Sequence, residues 1–245
     1  MRVWLKKCRP LLALLLALAL PWAGWGLERS LGDVPALSEA GVELPQKLIA
    51  LTFDDGPRRS TTTALLDGLD QRGVRATFFL VGTQMENNED LVRRMDDAGH
   101  RIGIHTYDHV MLTGLNAADF SAQVERTRSQ LTEILGHGDF LLRPPYGMVD
   151  DGVKKRAGAP IILWSIDPED WNDKNTSRIV EHVVANARDG AVILLHDIYP
   201  SSVDAALQIV DRLHAEGYLF VTVDQLAAAR QVPLEAGEVY RSFYP

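Results

Sequence analysis

The chain has 245 residues, of which 46% are hydrophobic and 24% charged, ordinary proportions for a globular protein able to bury a full core. Lys plus Arg number 25 against 33 Asp plus Glu, a net charge of -8. That balance argues against a nucleic-acid binder, which needs a basic face.

Residues 1–26 stand apart. Arg2, Lys6, Lys7 and Arg9 precede the apolar run LLALLLALAL and the small-residue exit PWAGWG. This order describes a secretory signal peptide, with an N-terminal membrane anchor as the alternative reading. Both put the rest of the chain outside the cytoplasm, as a periplasmic, secreted or membrane-attached protein. The one cysteine, Cys8, lies ahead of the apolar run, so the exported body has neither disulfides nor thiol chemistry. Residues 27–46 mix Pro, Gly and scattered charge and read as a linker.

From Lys47 onward a rhythm appears. The near-continuous apolar runs LIALTF, ATFFLV, RIGIHT, FLLRPP, PIILWSI, AVILLHD and YLFVTV suit parallel strands buried on both faces. Between them, TTTALLDGLDQRG, NEDLVRRMDDAG, AADFSAQVERTRSQLTEILG, SRIVEHVVANARDG and SSVDAALQIVDRLHAEG carry apolar residues at spacings of three and four, predicting helices. Gly73, Gly99, Gly190 and Gly217 read as helix stops, and Asn175, Thr176 and Ser177 as N-cap candidates. The expectation is one α/β domain over residues 47–230, a distorted (β/α) barrel of about seven parallel strands. Residues 231–245 form a tail without evident chemistry. The barrel is preferred to an open sheet because Asp54, His105, Arg143, Asp167 and His196 each fall at a strand's C-terminal end, and one rim lets them converge.

Two features suggest what converges there. His105 and His109 in HTYDH are four apart, which on a helical turn puts both imidazoles on one face, able to bind one ion. Adding one carboxylate from the pair Asp54–Asp55 gives two His and one Asp, a three-ligand metal site with a position left for water. The neighbouring aspartate leaves the backbone in another direction and is free for a different task. Without partners in sequence, His100, His137, His182 and His214 read as surface residues, and Trp164 as core.

TFDDG, HTYDH, RPPYG at 143–147, DPEDW at 167–171 and LLH at 194–196, in that order, resemble the five motifs of the polysaccharide deacetylases, carbohydrate esterase family four. The resemblance spans about residues 47–226. It implies Asp54 as general base, with Asp55, His105 and His109 holding one divalent metal, zinc first with cobalt or nickel as substitutes. It implies Arg143 as a clamp on the base, Tyr146 as a backbone N–H donor to the oxyanion, His196 as general acid and Asp170 as its orienting partner. Trp171 and Leu195 would line an apolar slot for the acetyl methyl. The family's usual Asn before the first metal histidine and Pro after the second are replaced here by Ile104 and Val110, which flank the ligands without substituting for them. The implied activity is removal of N-acetyl groups from N-acetylglucosamine in a polysaccharide, peptidoglycan first. Chitin-type oligosaccharide, exopolysaccharide or acetylxylan are alternatives, a non-catalytic carbohydrate-binding protein is a rival, and a barrel enzyme of small cyclic amides is a further one.

Overall fold

The computed structural model describes residues 47–245; the signal-peptide or anchor and linker expectations for residues 1–26 and 27–46 lie outside the described residues. The elements run β1 (Lys47–Asp54), α1 (Arg59–Gln71), β2 (Thr77–Leu80), α2 (Gly82–Met85), α3 (Glu89–Asp97), β3 (Arg101–Ile104), α4 (Ala117–Leu135), β4 (Leu141–Leu142), α5 (Asp151–Arg156), β5 (Ile161–Ile162), α6 (Thr176–Asn186), β6 (Val192–His196), α7 (Pro200–Ala215), β7 (Tyr218–Val221), α8 (Val223–Ala229) and β8 (Val239–Tyr240). Among the described residues no helix is long and apolar enough to cross a membrane.

All seven expected strands form, and every named pairing is parallel. The order is β6-β1-β2-β3-β4-β5-β8, with β7 also pairing β1. The sheet curls until Ile166, four residues beyond β5, bridges Ile193 of β6. The result is a distorted barrel.

Register and the period-two alternation of side chains decide what this curl encloses. Asp54 pairs with Phe79 and His196, Thr52 with Thr77 and Leu194, and Phe79 with Gly103. Side chains paired in this way share a face. The face carrying Thr52, Asp54, Phe79, Leu194 and His196 turns inward, while Leu51, Phe53, Phe78 and Leu195 turn outward into the large core beneath the helices. Gly103 leaves room for the inner face: a Cβ there would lie 2.4 Å from the Phe79 ring. A smaller cluster of Ala50, Phe79, Leu141, Ile162 and Val192, with Val223, Leu226 and Phe243, plugs the interior below the rim that carries Asp54 and His196.

Gly73, Gly99 and Gly217 follow α1, α3 and α7 with positive φ, as expected of helix stops. Asn175 is the cap that forms on α6, its side chain accepting from Arg178 N. Gly190 behaves differently. Helix α6 has already ended at Asn186, and a Cβ on Gly190 would sit 2.1 Å from the Phe243 carbonyl oxygen. Its task is close backbone approach, because the expected tail is built into the sheet: β8 pairs β5, Phe243 N donates to Gly190 O, and the Phe243 side chain is buried.

Candidate active site

The loop after β1 presents the two aspartates differently. Asp54 is the last residue of the strand and is buried; Asp55 has φ 74°, which swings its side chain away. Asp54 Oδ1 accepts from Arg143 Nη1 at 2.8 Å. Arg143, fully buried at the end of β4, spends its other donors on Thr52 Oγ1, Ile162 O and Leu163 O, and stacks over the Phe79 ring at 4.1 Å. Burial pulls the Arg143 pKa down and Asp54 pushes it back up. A guanidinium held by hydrogen bonds from all three of its nitrogens is a fixed counter-charge, and its bond to Oδ1 leaves Asp54 Oδ2 outside the clamp.

Asp55 Oδ1 lies 3.5 Å from His105 Nε2 and 3.3 Å from His109 Nε2. It is buried and has no hydrogen-bond partner. Three donor atoms of Asp55, His105 and His109 lie within 4.8 Å of one another. Ligands about 2.1 Å from a tetrahedral ion stand roughly 3.4 Å apart, so the spacing, the orphaned carboxylate oxygen and the N,N,O donor set all fit a divalent cation. His105 Nδ1 contacts the Arg143 carbonyl at 2.6 Å, which calls for the proton on Nδ1 and frees the Nε2 lone pair for the ion. Burial, then the adjacent His105, lowers the His109 pKa and favours the neutral, ligating form.

The histidine pair does not lie on a helical turn. Residues 105–109 form an irregular loop in which Thr106 and His109 both have positive φ, at 65° and 56°. Two left-handed residues, not a 3.6-residue period, bring the imidazoles together, with ring centroids 5.0 Å apart.

Across the cavity, Asp170 is fully buried and grips His196 twice: Oδ1 takes Nδ1–H at 2.8 Å and Oδ2 takes the backbone N–H at 2.9 Å. Burial alone would depress the His196 pKa. The Asp170 hydrogen bond and charge, with smaller help from Asp54 and Asp55, outweigh it and lift the value to about 9. Lys174 Nζ holds the Asp170 carbonyl at 3.0 Å and also donates to the Trp171 carbonyl, fixing the DPEDW loop. Asp167 accepts from Glu169 N, and burial raises its pKa.

Asp54, Asp55, His105, His109, Asp167 and His196 line one cavity of about 360 Å³ with Tyr146, Trp164, Trp171 and Leu194, while Arg143 and Asp170 are fully buried behind its wall. Tyr146 sits in a short turn over Pro145–Gly147 with φ 62°; its hydroxyl lies 3.4 Å from His109 Nδ1. Leu195 is not among the lining residues. It is fully buried in the outer core, since it follows Leu194 on a strand and must face the opposite side. Strand parity with His196 is the sequence signal that would have selected Leu194 instead. Trp164, expected as core, lines the cavity because it carries the inward parity of Ile162. His100, expected at the surface, is buried. Its Nδ1 accepts from Ala76 N, and burial lowers its pKa to about 4. Asp197, unremarked in the sequence, is buried against Gly56, bonded to Thr62 and pushed up to about 7 by burial.

Residues 41–159 match the sequence model of the family described as polysaccharide deacetylase. The chain is 40% identical over 193 residues to the peptidoglycan-N-acetylmuramic acid deacetylase PdaC of Bacillus subtilis, covering 79% of this chain and 41% of that protein. It is 39% identical over 194 residues to the peptidoglycan-N-acetylglucosamine deacetylase PgdA of Listeria monocytogenes, again covering 79% and 41%. It thus spans about two fifths of the length of these relatives. Among solved structures, a T48 deacetylase with substrate superposes with a TM-score of 0.76 at 38% identity, covering 80% of this chain and 97% of that one.

Proposed function

Because the chain belongs to the polysaccharide deacetylase family, we propose that it is a metal-dependent hydrolase that removes N-acetyl groups from N-acetylglucosamine units of peptidoglycan. The observation that carries this reading is that Asp54, held by buried Arg143, and His196, held by buried Asp170, line one cavity with the Asp55/His105/His109 cluster.

Asp55, His105 and His109 would hold the ion, zinc first with cobalt or nickel in its place. Bound there, a divalent cation supplies Lewis-acid polarisation of the acetyl carbonyl and lowers the pKa of water. Asp54 accepts the proton of the attacking water at Oδ2, while Arg143 keeps Oδ1 anchored so the carboxylate cannot rotate away. His196, a cation at neutral pH, holds its remaining N–H, on Nε2, for the leaving nitrogen. Without that proton the sugar amine would have to depart as an anion. An acid and a base so placed each contribute typically about 10²–10⁴-fold. The Tyr146 backbone N–H is the donor assigned to the developing oxyanion, an interaction worth about 3–4 kcal/mol in other enzymes. Trp164, Trp171 and Leu194 provide apolar walls that take the methyl group and exclude bulk water.

The basic-then-apolar residues 1–26 support export or N-terminal membrane attachment, and either would bring the domain to the side of the membrane where a wall polymer lies. A second reading, deacetylation of the muramic acid residue, is favoured by the name of the Bacillus subtilis relative. The test is acetate release from purified peptidoglycan, chitooligosaccharides and acetylxylan with added Zn²⁺ or Co²⁺, with mass spectrometry of muropeptides reading which sugar lost its acetyl. The Asp54→Asn variant serves as control. Binding of glycan without acetate release from any of these substrates would overturn the enzymatic reading.

A further inference from the structure

The loop that carries both histidine ligands is held on its two sides by different means. On the carbonyl side, Thr106 O and Tyr107 O accept from the backbone N–H groups of Gly82 and Thr83 at the start of α2. On the amide side, one side chain does the work. Gln123, on the half-buried face of α4, accepts at Oε1 from Tyr107 N at 3.0 Å and from Asp108 N at 2.9 Å. Its Nε2 then donates to Asp108 Oδ2 at 2.9 Å.

We propose that Gln123 is a positioning residue for metal binding: its amide holds the His105–His109 loop in the left-handed conformation that aims both imidazoles at Asp55. The inference rests on the metal-dependent reading of the site. Thr106 and His109 have positive φ, and Thr106 is β-branched, for which that region is strongly disfavoured. Such conformations persist only where surrounding contacts over-determine them. The two residues between the strained ones are Tyr107 and Asp108, and theirs are the amides that Gln123 ties down. Releasing them lets the loop relax and swings His109, the more exposed ligand, out of reach of Asp55 Oδ1. Loss of a partner that orients a metal ligand typically lowers affinity about 10–100-fold.

The experiment measures Zn²⁺ affinity of the metal-stripped protein by competition with a chromophoric chelator. Gln123→Met keeps the side chain's length and removes its polar atoms, and its affinity should fall by about 10–100-fold, with turnover recovering as Zn²⁺ is raised. The double variant Gln123→Glu/Asp108→Asn exchanges donor and acceptor between the two side chains and keeps an acceptor for both N–H groups, so it should bind Zn²⁺ close to wild type. A merely structural role would lower the melting temperature without sorting the variants by affinity. A Gln123→Met protein that binds Zn²⁺ as tightly as wild type, or a double variant that recovers nothing, overturns the proposal. Should Gln123→Met fail to fold, hydrogen exchange on the wild-type apo protein decides instead: Tyr107 and Asp108 amides must be protected, and fast exchange at both overturns it. A wild-type protein that takes up no Zn²⁺ overturns the metal reading itself, whereas a wild type that binds alongside an indifferent variant removes only the role of Gln123.

Discussion

Replacing Asp170 with Asn tests the acid half of the mechanism at its source. The two oxygens of Asp170 each serve one hydrogen bond to His196, to Nδ1 and to the backbone N–H. An asparagine offers one oxygen and no charge, so it keeps at most one of these bonds. Burial, the largest influence on His196 and one that lowers its pKa, is then no longer outweighed. The rise from an ordinary 6.5 to about 9 corresponds to about 3 kcal/mol favouring the imidazolium, at roughly 1.4 kcal/mol per pKa unit. Without it the pKa should fall below 6.5. At pH 8 the protonated fraction then drops from about nine tenths to about 3% or less, a loss of at least about 30-fold in kcat from protonation alone.

The assay is a pH–rate profile of acetate release at saturating metal, with an NMR titration of His196 in the metal-free protein beside it. The deficit of Asp170→Asn should shrink toward low pH as His196 regains its proton. Stability carries the same signature. Because the folded pKa lies above the unfolded one, the dyad's contribution is whole below pH 6.5 and is lost as pH climbs through about 9. The wild-type apo protein should lose thermal stability across that window, and Asp170→Asn should not. A variant whose alkaline limb coincides with that of the wild type would refute the reasoning.

Asp55→Asn, which keeps a residue suited to the positive φ, should strongly weaken Zn²⁺ binding in equilibrium dialysis without lowering the melting temperature of the apo protein, since Asp55 Oδ1 has no hydrogen bond to lose. A large drop in apo stability would mean that the carboxylate is structural. Arg143→Met should destabilise the protein by about 3–5 kcal/mol in urea unfolding, because it strands the buried Asp54 charge. Adding Asp54→Asn should recover part of that loss, and no recovery would place the damage in the packing against Phe79 instead.

Where a side chain's environment follows from chain periodicity, the sequence was a sufficient guide. The seven strands appear as apolar runs because both of their faces are buried, and the polar motifs stand out because they interrupt those runs at the rim. Errors came where parity or tertiary contact decides. Leu195 and Leu194 are equally apolar, and only the register with His196 separates core from cavity. His100 reads as a surface residue until Ala76 N, 24 positions away, is found bonded to it. The segment after residue 230 looks featureless because β8 is two residues long and Phe243 is buried against a different part of the chain. Gln123 lies on an otherwise ordinary amphipathic helix, and nothing in the spacing of α4 marks it.

The expected helical turn at HTYDH failed for a reason that extends to the whole site. Seven non-glycine residues among those described have positive φ, and five of them, Asp55, Thr106, His109, Tyr146 and Glu169, belong to the motifs around the cavity. A residue held in such a region costs of order 1–3 kcal/mol, so the site as a whole opposes folding unless the scaffold offsets it. The offset is visible in how the strained loops are tied: Asp55 follows a strand paired on both edges, Thr106 and Tyr107 hang from α2 and Gln123, and Glu169 is flanked by Asp167 and the Asp170–Lys174 contacts. Sequence periodicity reports conformations that the backbone prefers. The HTYDH loop, the Tyr146 turn and the DPEDW loop depend on conformations it does not prefer, so the candidate residues could be picked out by type while their geometry had to come from the folded chain.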